Sequence, residues 1–182
     1  MVDCSGRRWG RGGAGILFLC GADSSLLLLQ RAGWVAEGGT WGIPGGGTSG
    51  GWESLPILHP ITDEKVFLKT ALRETEEECG SMPPGFALSQ LVKRVEYEHC
   101  GFRYITYVCN LTLSQKEAWS LVSEDDETDA FMWFSKSDIE VGELLDGRRI
   151  HRSPARKPRP LGRGGSAVSA LLFLLDVLGL RP

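Results

Sequence analysis

The stretch from Asp63 to Gly80 restricts the architecture more than any other part of the chain. It holds no internal glycine or proline, opens on a residue type that caps helix N-termini, and closes on Gly80 with Pro83-Pro84 just beyond. A helix over 63–79 is therefore predicted. At 100° per residue, Glu74, Glu77 and Glu78 stand at i, i+3 and i+4 and share one face. Leu68, Leu72, Thr75 and Cys79 fall on the roughly opposite face, suited to packing on a sheet. Carboxylates this close repel one another, so an isolated helix gains nothing from them. A divalent cation removes the conflict, since Mg²⁺ prefers oxygen ligands and leaves positions for waters and substrate phosphates. A bare glutamate run would read as a solvated acidic face. Arg73 before the cluster, Gly80 after it and a Gly-rich loop upstream favour a metal platform.

Around this helix the chain reads as one domain. Its 182 residues are 42% hydrophobic and 24% charged, which excludes a disordered or collagen-like chain, and Gly 24 with Pro 9 calls for many turns. Residues 1–13, rich in Gly and Arg, are expected as a flexible arm before a single domain over 14–182. The apolar runs 15–20 and 26–30 flank Gly21-Ala22-Asp23-Ser24-Ser25 and read as a hairpin. Trp41-Gly42-Ile43-Pro44-Gly45-Gly46-Gly47 reads as a short strand ending in a site-building loop. Residues 48–62 form a long connection; its Trp52, Leu55, Ile57 and Leu58 suit a pocket cover or a homodimer contact. Segments 91–99 and 102–112 flank Cys100-Gly101 as a second hairpin, and 130–134 is a further strand after the acidic stretch 124–129. Residues 142–165 read as a basic surface loop and 166–179 as a C-terminal helix.

Charge and cysteine usage narrow the setting. With 20 Lys and Arg against 23 Asp and Glu, the net charge of −3 announces neither a nucleic-acid nor a membrane binder. The basic residues Arg148, Arg149, Arg152, Arg156, Lys157, Arg159 and Arg163 nevertheless gather in one stretch, which keeps RNA open as a partner. Five cysteines without CxxC spacing favour reduced thiols and a cytoplasmic location. The N-terminal apolar run is short for a signal peptide, and Ala167 to Leu180, broken by Asp176, falls short of the roughly 20 residues that span a bilayer. No membrane association is expected. His59, His99 and His151 show no ligand spacing, and no nucleophile–histidine arrangement emerges. Phe102, Tyr104, Tyr107 and Trp34 are of a type that stacks on a nucleobase, though aromatics in alternating strands more often fill a core.

Pro44-Gly45-Gly46 leading to Arg73-Glu74-Thr75-Glu76-Glu77-Glu78-Cys79-Gly80 resembles the Nudix box, GX5EX7REUXEEXGU, with U a bulky apolar residue. Leu28-Leu29-Gln30-Arg31 looks like the strand preceding the box, and Trp133-Phe134-Ser135, with Glu127 six residues before Trp133, looks like a later Nudix strand with its acidic lead-in. The likeness covers about residues 14–140. Three departures stand out. Glu53 follows Gly46 after six residues where the pattern has five, and 19 residues separate it from Arg73 where the pattern has seven. Counting back from Arg73, the expected glutamate is Lys65, with Glu64 beside it, so Glu53 and Glu64 are both candidates for its place. The U positions hold Thr75 and Ser81.

The resemblance implies an α/β fold, an α/β/α sandwich around a mixed sheet. It also implies a pyrophosphohydrolase that acts on phosphoric anhydrides and cleaves a nucleoside diphosphate linked to another group, by water attack on phosphorus. It implies Mg²⁺, with Mn²⁺ as a substitute, held by Glu74, Glu77, Glu78 and the backbone carbonyl of Gly45. Glu74 serves as ligand or base, Arg73 orients it, Glu127 is an extra ligand or general base, and Arg31 and Gly46 meet the substrate. Two alternatives remain at this stage: an RNA cap or RNA 5′-end pyrophosphohydrolase, resting on the basic loop, and a nucleotide-binding Nudix module without catalysis.

Overall fold

The computed structural model describes residues 12–35, 38–48, 63–99, 102–123 and 126–135. Strand β1 (Gly12–Cys20) turns at residues 21–24 into β2 (Ser25–Arg31), and the short β3 (Trp41–Gly42) and β4 (Gly45–Gly47) follow. Helix α1 (Glu64–Cys79) precedes β5 (Leu91–His99), β6 (Phe102–Leu111), the short α2 (Leu113–Ala118) and β7 (Thr128–Ser135). The strands form one sheet in the order β3-β2-β1-β6-β5, with β4 added to β1 and β7 to β2. β1 and β6 run parallel along their whole length, whereas the other pairs are antiparallel, so the sheet is mixed as expected.

β1 organises the site because it changes partner along its length. Leu19 and Cys20 pair with β2, while Gly13, Ala14 and Gly15 pair with Gly47, Gly46 and Gly45 of β4. Between these segments β1 and β2 part, and the Ile16 N–H reaches the Pro44 carbonyl at 3.0 Å. The Gly-rich loop thus becomes a strand of the sheet. β1 begins at Gly12, inside the stretch expected as an arm, and both Gly12 and Gly13 are buried. A methyl at Gly12 would stand 2.9 Å from the Phe67 ring and one at Gly13 2.8 Å from the Tyr104 ring. Glycine lets these rings lie on the backbone, which offsets the low apolar content of the segment.

Alternation gives the sheet two apolar faces. Ala14, Ile16 and Phe18 of β1 join Leu27, Leu29, Ile105, Tyr107 and Cys109 beneath Phe67 and Ala71 of α1. Leu17, Leu26, Leu28, Trp41, Val95 and Phe134 cluster on the other face. The Asp63 side chain accepts the Lys65 N–H at 2.9 Å, and Gly80, at φ 75°, ends α1 in the left-handed conformation.

The division of α1 into opposed faces needs correction. Its buried residues are Phe67, Thr70, Ala71, Thr75, Glu78 and Cys79, while Leu68 and Leu72 only flank the core. Glu78 is 6% exposed and lies on the packed face, because residues 67, 71 and 78 share nearly one direction at 100° per residue. Thr75, at a position where the family pattern has an apolar residue, is fully buried and returns its hydroxyl to the Ala71 carbonyl at 2.8 Å. The hairpin of β5 and β6 has the expected register, His99 opposite Phe102. The short α2, capped reciprocally by Thr112 and Gln115, was not anticipated, although Thr112-x-x-Gln115 is a capping-box signature. The expected C-terminal helix 166–179, the basic loop 142–165, the arm residues 1–11 and connection residues 49–62 lie outside the described residues.

Candidate active site

The last two turns of α1 lie along β4, and the absence of side chains on that strand permits the approach. The atoms nearest a Cβ on Gly46 would belong to Glu74, with its Cδ at 2.5 Å, so the carboxylate occupies the space that a side chain would take. Next along the strand, the Gly45 N–H donates to Glu78 Oε2 at 2.7 Å. Two carboxylates a helical turn apart therefore grip successive residues of one glycine strand. The insertion before α1 does not prevent the glycine loop and the carboxylate helix from meeting.

Arg73 and Glu77 complete this edge differently. The Arg73 guanidinium pairs with both Glu74 and Glu77 and reaches the Gly47 carbonyl at 3.4 Å. One cation thus separates two carboxylates, which relieves part of the repulsion read from the helix alone. Burial works against the Arg73 charge, but Glu77 and Glu74 outweigh it and hold the guanidinium above its ordinary value. Burial is also the largest influence on Glu74 and raises its pKa; Arg73 opposes this, while Glu77 and Glu127 add to it. Glu77 itself is 49% exposed on its side chain. Among the described residues no three His, Cys, Asp or Glu side chains converge as a preformed metal cage.

The donors nevertheless fit a hard divalent cation in kind. Mg²⁺ is usually bound by one or two carboxylates together with waters and substrate phosphates. Glu74 and Glu78, meeting at the carbonyl-bearing glycine strand, supply that number with oxygen donors alone. Glu77 stands one helical turn away, on Arg73.

Glu127 immediately precedes β7, and its carbonyl accepts the Ala32 N–H at 2.7 Å, which ties its loop to the end of β2. Its carboxylate faces Arg31 at 4.0 Å and lies close enough to raise the Glu74 pKa. The structure therefore brings Arg31 and Glu127 together beside the carboxylates of α1. Glu64 goes elsewhere. It stands on the first turn of α1, 3.1 Å from Arg94 and 4.0 Å from Arg103, so it does not replace the first box glutamate at Arg73. The physical reason is distance along the helix: nine residues at 1.5 Å each place it about 13 Å from Arg73. Glu53 lies outside the described residues, as does the basic segment 148–163.

The aromatic residues divide. Tyr107 is buried in the core, Trp34 is 69% exposed in the turn after Arg31, and Tyr104 lies on the β4 side, with Phe102 stacked at 6.4 Å. Burial raises the Tyr104 pKa, with Glu78 and Glu74 adding to the shift, so the phenol remains neutral. Sequence reasoning offered Tyr104 as a stacking or core residue and missed its place against the glycine strand. The parallel β1–β6 register, which brings Gly13 opposite Tyr104, is a tertiary fact without a local sequence signal.

The NUDIX domain family model matches residues 10–157, which include the glycine strand and the glutamate helix. The chain belongs to the Nudix family. It is 33% identical over 156 residues to a nucleoside triphosphate pyrophosphatase/Nudix hydrolase fusion protein of Bifidobacterium longum. That alignment takes in 79% of this chain and 28% of the relative, so the Nudix chain corresponds to just over a quarter of the fusion protein. A crystal structure of a Nudix hydrolase from M. smegmatis, RenU, shares the fold, with TM-score 0.54 and 20% identity over 96% of this chain and 89% of that one. No helix among the described residues of this Nudix chain is long and apolar enough to cross a membrane.

Proposed function

We propose that the protein is a divalent-metal-dependent pyrophosphohydrolase that cleaves a nucleoside diphosphate linked to a further group. One observation carries the reading: Glu74 and Glu78 converge on Gly46 and Gly45 from a single helix face and bring carboxylate oxygens to a strand of backbone carbonyls. When bound, the cation, Mg²⁺ or Mn²⁺, supplies charge neutralisation for the pyrophosphate and a lowered pKa for a water. Glu74, Glu78 and the Gly45 carbonyl would hold it, with Glu77, one helical turn away on Arg73, as the further carboxylate that would serve as a ligand. Arg73 orients Glu74 through a charge-assisted bond and opposes the rise in pKa that burial imposes on it. Glu127 takes the proton of the attacking water, a role its proximity to Glu74 and its solvent access support. Arg31, held beside it, receives a substrate phosphate.

A product screen over nucleoside triphosphates, ADP-ribose, dinucleoside polyphosphates and capped RNA, with Mg²⁺ and with Mn²⁺, tests the proposal. Cleavage of at least one, abolished by EDTA and by Glu78→Gln, is the expected result. Tight nucleotide binding without turnover of any substrate would replace it with a binding module.

A further inference from the structure

The Gly45–Gly46 strand has a second neighbour, on the face away from α1. Three glycines, Gly13, Gly15 and Gly45, present bare backbone to one side chain. A Cβ on Gly13 would stand 2.8 Å from the Tyr104 ring, and one on Gly15 or Gly45 would stand 2.7 Å from the Tyr104 hydroxyl. The ring therefore lies in a groove made by missing side chains on β1 and β4, with its oxygen at the tip of that groove against Gly45. No hydrogen bond joins this hydroxyl to another described residue, so its relation to the loop is one of contact. Alternation along β4 completes the geometry: Gly45 turns its Cα hydrogens towards Tyr104 while its N–H bonds Glu78, and Gly46 turns towards Glu74. The strand is held between two carboxylates and a phenol.

We infer that Tyr104 is a positioning residue that presses the Gly45–Gly46 strand against Glu74 and Glu78 and so fixes the spacing of the metal donors. The inference rests on the metal-site reading proposed above. Pairing with β1 holds this strand in the sheet, but three glycines have no side chains of their own and the widest backbone freedom of any sequence, so its placement out of the sheet plane, towards or away from α1, comes from what packs on its two faces. On the α1 face the contacts come from the carboxylates that a cation would engage. Tyr104 provides a contact from a side chain outside the set of carboxylate donors. A side chain at Gly13 or Gly15 would strike Tyr104 as well as a carbonyl of the glycine loop, Gly46 O at 2.8 Å and Pro44 O at 2.5 Å respectively.

The test is Tyr104→Phe, which keeps the ring in the Gly13 groove and withdraws the oxygen from Gly15 and Gly45. Mn²⁺ affinity is measured without substrate by the loss of its free-ion EPR signal, alongside Tm and kcat at saturating Mn²⁺. Outer-shell partners of metal ligands typically contribute 10–100-fold in affinity. We expect Tyr104→Phe to weaken Mn²⁺ binding on the order of tenfold, with Tm within about 2 °C of wild type and kcat largely recovered once the metal saturates. Tyr104→Leu, which also leaves the Gly13 groove partly empty, should weaken binding further. Wild-type Mn²⁺ affinity in Tyr104→Phe overturns the inference, as does a loss of kcat that saturating Mn²⁺ does not restore. Glu78→Gln is the control that separates the two readings. If it too binds Mn²⁺ like wild type, the metal site itself is wrong and the role of Tyr104 falls with it.

Discussion

Replacing Gly46 with alanine isolates the placement of Glu74 from its charge. The new Cβ would lie 2.5 Å from Glu74 Cδ, against about 3.5 Å for an ordinary carbon contact, so the carboxylate must withdraw by roughly 1 Å. Gly46 has no positive φ, so alanine fits the backbone there, and the loss of unfolded-state freedom contributes about 0.4–1 kcal/mol of stability. The retreat of Glu74, tied to Arg73, offsets this gain, and the net change in stability should lie within about 1 kcal/mol. A 1 Å displacement of a positioned group lowers rate on the order of 10²-fold, or about 2.7 kcal/mol in the barrier. The assay pairs kcat/KM in Mg²⁺ with thermal unfolding of the apo protein. Gly45→Ala is the contrast, since its Cβ would strike Ala14 O and Gly15 Cα of β1, each at 2.6 Å, and backbone there does not yield. That variant should lose about 1–3 kcal/mol of stability as well as activity. Wild-type kcat/KM in Gly46→Ala would show that Glu74 need not stand where the structure places it.

Three further outcomes are expected. Glu77→Gln should reduce kcat by about 100-fold or more in saturating Mg²⁺ while unfolding within about 1 kcal/mol of wild type, because its pair with Arg73 is largely solvated; unchanged turnover would remove Glu77 from the metal site. Arg103, its bond to Glu96 outweighing the partial burial, holds that carboxyl below its ordinary pKa, so Glu96 adds stability that is full above about pH 4.3 and is lost as the pH falls through the lowered value. Glu96→Gln should thus be less stable than wild type at pH 7 by under about 1 kcal/mol, with the difference closing below pH 4 in denaturant titrations. Replacing Arg152, Arg156 and Arg159 with Ser should raise KM more for RNA than for a mononucleotide and flatten the salt dependence of KM; identical KM values and salt slopes for both substrates would leave the basic segment no role in binding.

Local chemistry along the chain was enough to place the helix with its Asp63 cap and Gly80 stop, both hairpins, and the Arg73-Glu74 to Gly80 half of the box. Each depends on residues near one another in sequence, where spacing alone sets which groups share a face or a turn. Tertiary structure decided the rest. Glu78 is buried because α1 lies flat on β1 and β4, a packing direction that helical periodicity does not specify. Glu64 turns to Arg94 and Arg103 because β5 and β6 pass beside the start of α1, so its neighbour in sequence, Lys65, was no guide to its partner. Gly12 and Gly13 of β1 read as the end of a loose arm, since a residue without a side chain carries no pattern of its own. Their purpose appears only when the parallel register brings Tyr104 across them from β6, some 90 residues away in the chain. A motif can thus name the carboxylates of this site, but the distance between them and the glycine strand is set by residues that pack on its other side.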